Sequence, residues 1–158
     1  GSAFDTIAQL LPGDHLCSIY TTEQEQGDLL SAYFLEGLKT DQKLSYIADP
    51  DAAERIRRDL VELGVEVENH LSQGRMEFLT SREAYARGGI FDAESMLQLL
   101  SEQSLKAREA GYGGLRVAID MMAVTAESAD TTAPATNLRD FENGLNKLVA
   151  GSNFLVLG

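Results

Sequence analysis

One histidine and the single cysteine of this chain stand two residues apart, in Gly13-Asp14-His15-Leu16-Cys17-Ser18-Ile19-Tyr20. The segment passes from a turn signal into an apolar run and reads as a short strand from His15 to Tyr20. Residues two apart on a strand share a face, with Cα atoms roughly 6.5–7 Å apart. Imidazole and thiolate are good soft-metal ligands. The only other histidine is His70, so carboxylates such as Glu142 would have to complete a metal site. A Cys–His nucleophilic pair is the other chemistry these types permit. Its thiolate is ordinarily stabilised on a loop or at a helix N-terminus, whereas Cys17 falls mid-strand. The plainer reading is a cysteine acting as a small hydrophobe and a histidine hydrogen-bonded at the strand's start. His15 and Cys17 are carried as candidates for ligand contact, with no metal, no cofactor and no catalytic residue expected.

The next segment, Thr21-Thr22-Glu23-Gln24-Glu25-Gln26-Gly27, lies where a nucleotide-binding chain carries its phosphate loop. Such a loop needs glycines for close backbone approach, a lysine for charge and a hydroxyl for Mg²⁺. Here there are two glutamates, no lysine and a glycine only at the end. Asp120, after the apolar run Val117-Ala118-Ile119, resembles the metal-bound aspartate of nucleotide hydrolases, but it lacks that loop as a partner.

Strands and helices alternate along the chain. Helical spacing marks residues 4–11, stopped by Pro12-Gly13, and then residues 23–39, where Leu29, Leu30, Tyr33, Phe34 and Leu38 share a face. A second strand covers residues 44–48. Asp49-Pro50 opens a helix that turns Ile56, Leu60 and Leu63 inward and stops at Gly64. A short helical turn over 65–73, a strand at 76–79 and a short helix to Ala86 follow. Asp92 caps a long helix to about Ala110 with Met96, Leu97, Leu100 and Leu105 facing in. A strand at 115–120, a small-residue loop at 121–136, a helix opened by Asn137 and an apolar strand at 153–157 complete the chain. The alternation predicts a three-layer α/β sandwich, a mostly parallel sheet with helices on both faces. Residues 3–158 are expected to form one domain, with Gly1-Ser2 set aside as a cloning remnant. A chain ending on a core strand is expected to be part of a longer protein.

In open α/β sheets ligands bind beyond the carboxyl ends of the strands. Those ends place a crevice at residues 21–26 near Asp120, lined by Tyr20, Thr21, Glu23, Asp49, Tyr85 and Asp120. His15 starts its strand and is expected towards the opposite end. Asp49 reads first as a helix cap, Tyr85 as a core anchor or a crevice edge, and Met121-Met122 as core or an adaptable apolar wall. His70, among polar neighbours, is expected on an exposed helix face.

A net charge of −12 over 158 residues sets the surface against nucleic acid and anionic membrane. One cysteine rules out an internal disulfide and fits a reducing, cytoplasmic setting. No apolar run approaches the ~20 residues of a membrane span.

Taken together, Gly13-Asp14-His15-Leu16-Cys17, Tyr46-Ile47-Ala48-Asp49, Leu63-Gly64-Val65-Glu66-Val67, Thr80 with Glu83-Ala84-Tyr85, Gly88-Gly89, Phe91-Asp92, Gly111-Tyr112 and Phe141-Glu142 resemble a MEDS domain. That sensory domain is named for methanogens, methylotrophs and the dichloromethane-responsive repressor DcmR. The family is similar to the RecA/KaiC-type core with its phosphate loop degenerated. The resemblance implies a non-enzymatic input domain for a small organic ligand, acting on an attached or partner output module, a transcription factor or histidine kinase. It aligns the family's His and Cys with His15 and Cys17; Met121 and Glu142 are carried with them as ligand-contact candidates. Met122-Ala123 supplies no aromatic where the family often has one, which implies a different ligand or action through protein contacts. The expected partners are therefore a small organic molecule and an output domain or regulatory protein, with a homodimer as one option. Direct nucleic-acid or membrane contact is not expected. The alternatives are a protein-interaction module of a kinase or sigma-factor system and a residual nucleotide-binding domain.

Overall fold

The computed structural model describes residues 15–18, 23–80, 93–120 and 153–157. In chain order they form β1 (His15–Ser18), α1 (Glu23–Lys39), β2 (Gln42–Ile47), α2 (Pro50–Glu62), α3 (Val67–Ser72), β3 (Met76–Leu79), α4 (Ala93–Glu109), β4 (Gly114–Asp120) and β5 (Asn153–Leu157). The expected helices at 4–11, 81–86 and from Asn137, and the loop at 121–136, lie outside the described residues.

The five strands make one sheet in the order β1-β5-β4-β2-β3, and every pairing is parallel. Alternation along each strand divides two cores between its faces. Leu44, Tyr46, Ala48, Ala118 and Leu155 pack with Leu30, Tyr33 and Phe34 of α1 and with Ile56 and Leu60 of α2. Ile47, Leu115, Val117, Ile119 and Phe154 pack on the other face with Met96, Leu100 and Ala107 of α4. The result is a three-layer α/β fold. All seven residues of β4 are buried, as a strand covered on both faces requires.

Local chemistry sets the element ends. Asp49 is extended, and its Oδ1 accepts the Ala52 N–H at 2.8 Å, while Pro50 takes the first helical position of α2. Gly64, at φ +90°, turns the chain out of that helix. Gly37 serves a different need. A Cβ there would fall 2.8 Å from Arg116 Cδ and collide with Leu44, so only glycine lets α1 lie this close to the sheet.

A buried polar network occupies the amino end of the sheet. Arg116 is 2% exposed. Its Nε donates to Gln42 Oε1 at 2.7 Å, Nη1 to the Tyr33 carbonyl at 3.0 Å and Nη2 to Asn153 Oδ1 at 3.5 Å. Gln42 Nε2 donates to the same Asn153 oxygen at 2.8 Å. The guanidinium lies over the Tyr33 ring at 4.7 Å, and the Tyr33 hydroxyl donates to the Val117 carbonyl at 2.8 Å.

Three expected burials are corrected. Leu63 is 57% exposed, because it caps α2 beyond the last turn that touches the sheet. Leu105 is 59% exposed, and Ser104 and Ala107 are buried in its place. The stripe Met96, Leu100, Ser104, Ala107 faces the sheet, and its two small residues fit a close helix–sheet contact. His70 is half-buried rather than exposed, with its Nδ1 buried and without a partner among the described residues.

Candidate functional site

The order β1-β5-β4-β2-β3 sends the chain from β2 outward to β3 and from β4 the other way to β5. The reversal lies between neighbours β2 and β4, and a crevice opens beyond their carboxyl ends at such a point. Ile47 pairs with Ile119 there. Asp49 and Asp120 follow those two residues and bring two carboxylates to one edge. Asp120 is buried and shares the parity of Arg116 and Ala118, which sets it on the α1–α2 face.

On that face stands Tyr46, 2% exposed. Its ring meets Phe34 edge-on at 5.9 Å and Phe78 at 6.5 Å. Burial is the chief cause that pushes its hydroxyl well above the ordinary phenol range, and the Asp120 and Asp49 carboxylates add to the effect. Arg55 acts in the opposite sense. The phenol therefore stays neutral in an anionic neighbourhood, a hydroxyl able to donate and to accept. A small cavity of about 50 Å³ lies over it, walled by Gly27, Leu30, Tyr46, Ala52, Arg55 and Asp59 among others. A second hollow, about 230 Å³, opens at the carboxyl ends of β2 and β3 against Ala48, Pro50, Ala53, Phe78 and Leu79.

Asp49 and Asp120 both act electrostatically on Tyr46. Sequence reasoning placed Tyr46 only within its strand. The available signal was a phenol near the carboxyl end of a strand, on the face its neighbouring helices cover. Asp49 spends one oxygen on the α2 cap, as expected. Of the segment 21–26 expected as a loop, residues 23–26 are instead the first turn of α1, and Gln26 there also lines the cavity over Tyr46. Glu23 is the first residue of α1.

His15 and Cys17 lie on β1, an edge strand separated from β4 by β5 and so roughly 10 Å from it. Through β5, His15 stands level with Val117, Cys17 with Ile119 and Ser18 with Asp120. β4 begins three residues below that level, at Gly114, so His15 is not at the far end of the sheet as its strand-initial position implied. Tyr20, Thr21, Tyr85, Met121 and Glu142 lie outside the described residues. Among the described residues no cluster of three or more His, Cys, Asp or Glu has metal-holding geometry, and no helix is long and apolar enough to cross a membrane.

An all-parallel sheet between helical layers, with the strand order reversing between β2 and β4, makes this an open α/β domain. The chain is similar in structure to the KaiC-like protein PH0186 from the hyperthermophilic archaeon Pyrococcus horikoshii OT3, with a TM-score of 0.64 and 11% identity. The match covers 92% of this chain and 61% of that one, so the chain spans about three fifths of that protein's length. At this identity the likeness is one of fold. The family model for MEDS, the MEthanogen/methylotroph, DcmR Sensory domain, matches residues 14–158, and the chain belongs to that family. No curated protein matches it in sequence. Membership of a sensory-domain family gives the chain a sensory role in that broad sense.

Proposed function

We propose that the domain is a non-enzymatic sensor that takes a small organic molecule in the crevice beyond β2 and β4 and biases an attached or partner output module. The observation that carries this reading is the grouping of Tyr46, Asp49 and Asp120 at the point where the strand order reverses. Two carboxylates around a neutral phenol suit a neutral or cationic polar molecule and disfavour a phosphate. The acidic, lysine-free segment at residues 21–26, whose residues 23–26 open α1, supports the same choice. Tyr20, Thr21, Glu23, Tyr85 and Met121 are proposed as further walls. His15, Cys17 and Glu142 are proposed as outer contacts. Binding would favour one arrangement of the residues after Asp120, and the output module would respond to that population shift.

A thermal-shift screen of small polar organic compounds tests this. At least one is expected to raise the melting temperature of the wild-type chain, with the rise abolished in Asp120→Asn. An equal rise in both proteins would remove the crevice from the mechanism.

A further inference from the structure

In a chain with 13 basic side chains against 25 acidic ones, three arginines fall within four residues of α2, at Arg55, Arg57 and Arg58. Arg57 is spoken for, forming ion pairs with Glu54 and Glu68. Arg55 and Arg58 instead line a cavity of about 300 Å³ between α1 and α2, together with Asp59, Glu62, Gln24 and Gly27. Arg55–Asp59 and Arg58–Glu62 have the four-residue spacing that lets opposite charges meet on a helix. Neither closes to ion-pair distance among the described residues. Two cations and two anions thus border one cavity without neutralising each other.

A simple anion there would meet Asp59 and Glu62, and a simple cation would meet the arginines. A molecule carrying both charges satisfies both sets. Gly27 lies in the cavity's wall, where a Cβ would stand 3.1 Å from Asp59 Oδ2, and Gly27, Arg55 and Asp59 also line the neighbouring hollow. This is the 50 Å³ hollow over Tyr46, with Leu30, Ala52 and Ile56 in its wall. We propose that the α1–α2 cleft binds a small zwitterion of the α-amino acid class. Its carboxylate faces Arg55 and Arg58, its ammonium faces Asp59 and Glu62, and a short aliphatic side chain enters the hollow. The hollow over Tyr46 is shared with the crevice proposed above, and to that extent the inference rests on that reading; its charged part, Arg55, Arg58, Asp59 and Glu62, is independent of Asp49 and Asp120.

The test is an NMR titration of the ¹⁵N-labelled chain with L-valine, with acetate and ethylammonium as half-ligands. L-Valine is expected to give saturable shifts around Gly27 in α1 and along α2, with each half-ligand roughly tenfold weaker or worse. The double variant Arg55→Gln/Arg58→Gln is expected to lose at least about tenfold in affinity, while Arg57→Gln, outside the cleft, binds as the wild type does. Arg55 and Arg58 are exposed, and Arg57 is half-buried in surface ion pairs, so both variants are expected to fold. Absence of saturable L-valine binding, acetate binding as tight as L-valine, or undiminished affinity in the double variant would each overturn the proposal.

Discussion

At the amino end of the sheet, Arg116 is buried with Gln42, Asn153 and the Tyr33 carbonyl around its guanidinium. At the carboxyl end, Tyr46 is equally buried, but its charged neighbours are the carboxylates Asp49 and Asp120, opposed by Arg55, beside a cavity. The first group matches donors to acceptors across three strands and one helix and leaves little room to rearrange. The second keeps a hydroxyl neutral, because burial and nearby carboxylates disfavour its ionised form, next to open space. One end is a lock on the frame. The other is where the proposed ligand would enter.

The largest effect is expected in alkali, which strikes both ends at once. Burial raises the hydroxyls of Tyr33 and Tyr46 well above the unfolded phenol value of about 10. The stability tied to these shifts is fully present below about pH 10 and is lost as the pH climbs towards the folded values, because only the unfolded chain ionises there. Each phenol costs up to about 1.4 kcal/mol per pH unit in that window. Urea midpoints from pH 8 to 12 should stay flat and then fall, with a gentler fall in Tyr46→Phe.

Next comes the lock. Arg116→Met should lower the unfolding free energy by about 3 kcal/mol in urea titration, since Gln42 and Asn153 lose a buried charged partner. Gly37→Ala should cost about 1–3 kcal/mol by forcing α1 off Leu44 and Arg116. At the other end, Asp49→Ala should cost about 1 kcal/mol in thermal unfolding through loss of the α2 cap, and Asp49→Asn much less. The smallest stability change is expected for Asp120→Asn, under about 1 kcal/mol. Its signature is instead a downward move of the Tyr46 titration, read by phenolate absorbance at 295 nm against the Tyr46→Phe background. An Asp120→Asn loss as large as that of Arg116→Met would erase the contrast between lock and sensor.

What sequence reasoning recovered is what local pattern controls. The bounds of α1, the Asp49-Pro50 start of α2, the strand at Met76–Leu79 and the parallel α/β class follow from period, caps and alternation. What it missed depends on distance along the chain. Arg116 stands 74 residues from Gln42 and 37 from Asn153, so nothing near it announces the network. A lone arginine inside a strand covered on both faces was the only hint. Leu63 and Leu105 misled because their hydrophobicity outweighed position, while Ser104 took a core place for its small size. The grouping of Asp49 with Asp120 followed from topology, but their shared effect on Tyr46 did not. The level of His15 depended on strand register, which a single strand cannot reveal.

The central claim is that a RecA/KaiC-like frame here carries a ligand-sensing edge in place of a nucleotide site. Calorimetric titration of the chain with ATP and Mg²⁺ tests it most directly. No saturable heat is predicted up to about millimolar nucleotide. A dissociation constant in the micromolar range would contradict the claim and restore nucleotide binding to this fold.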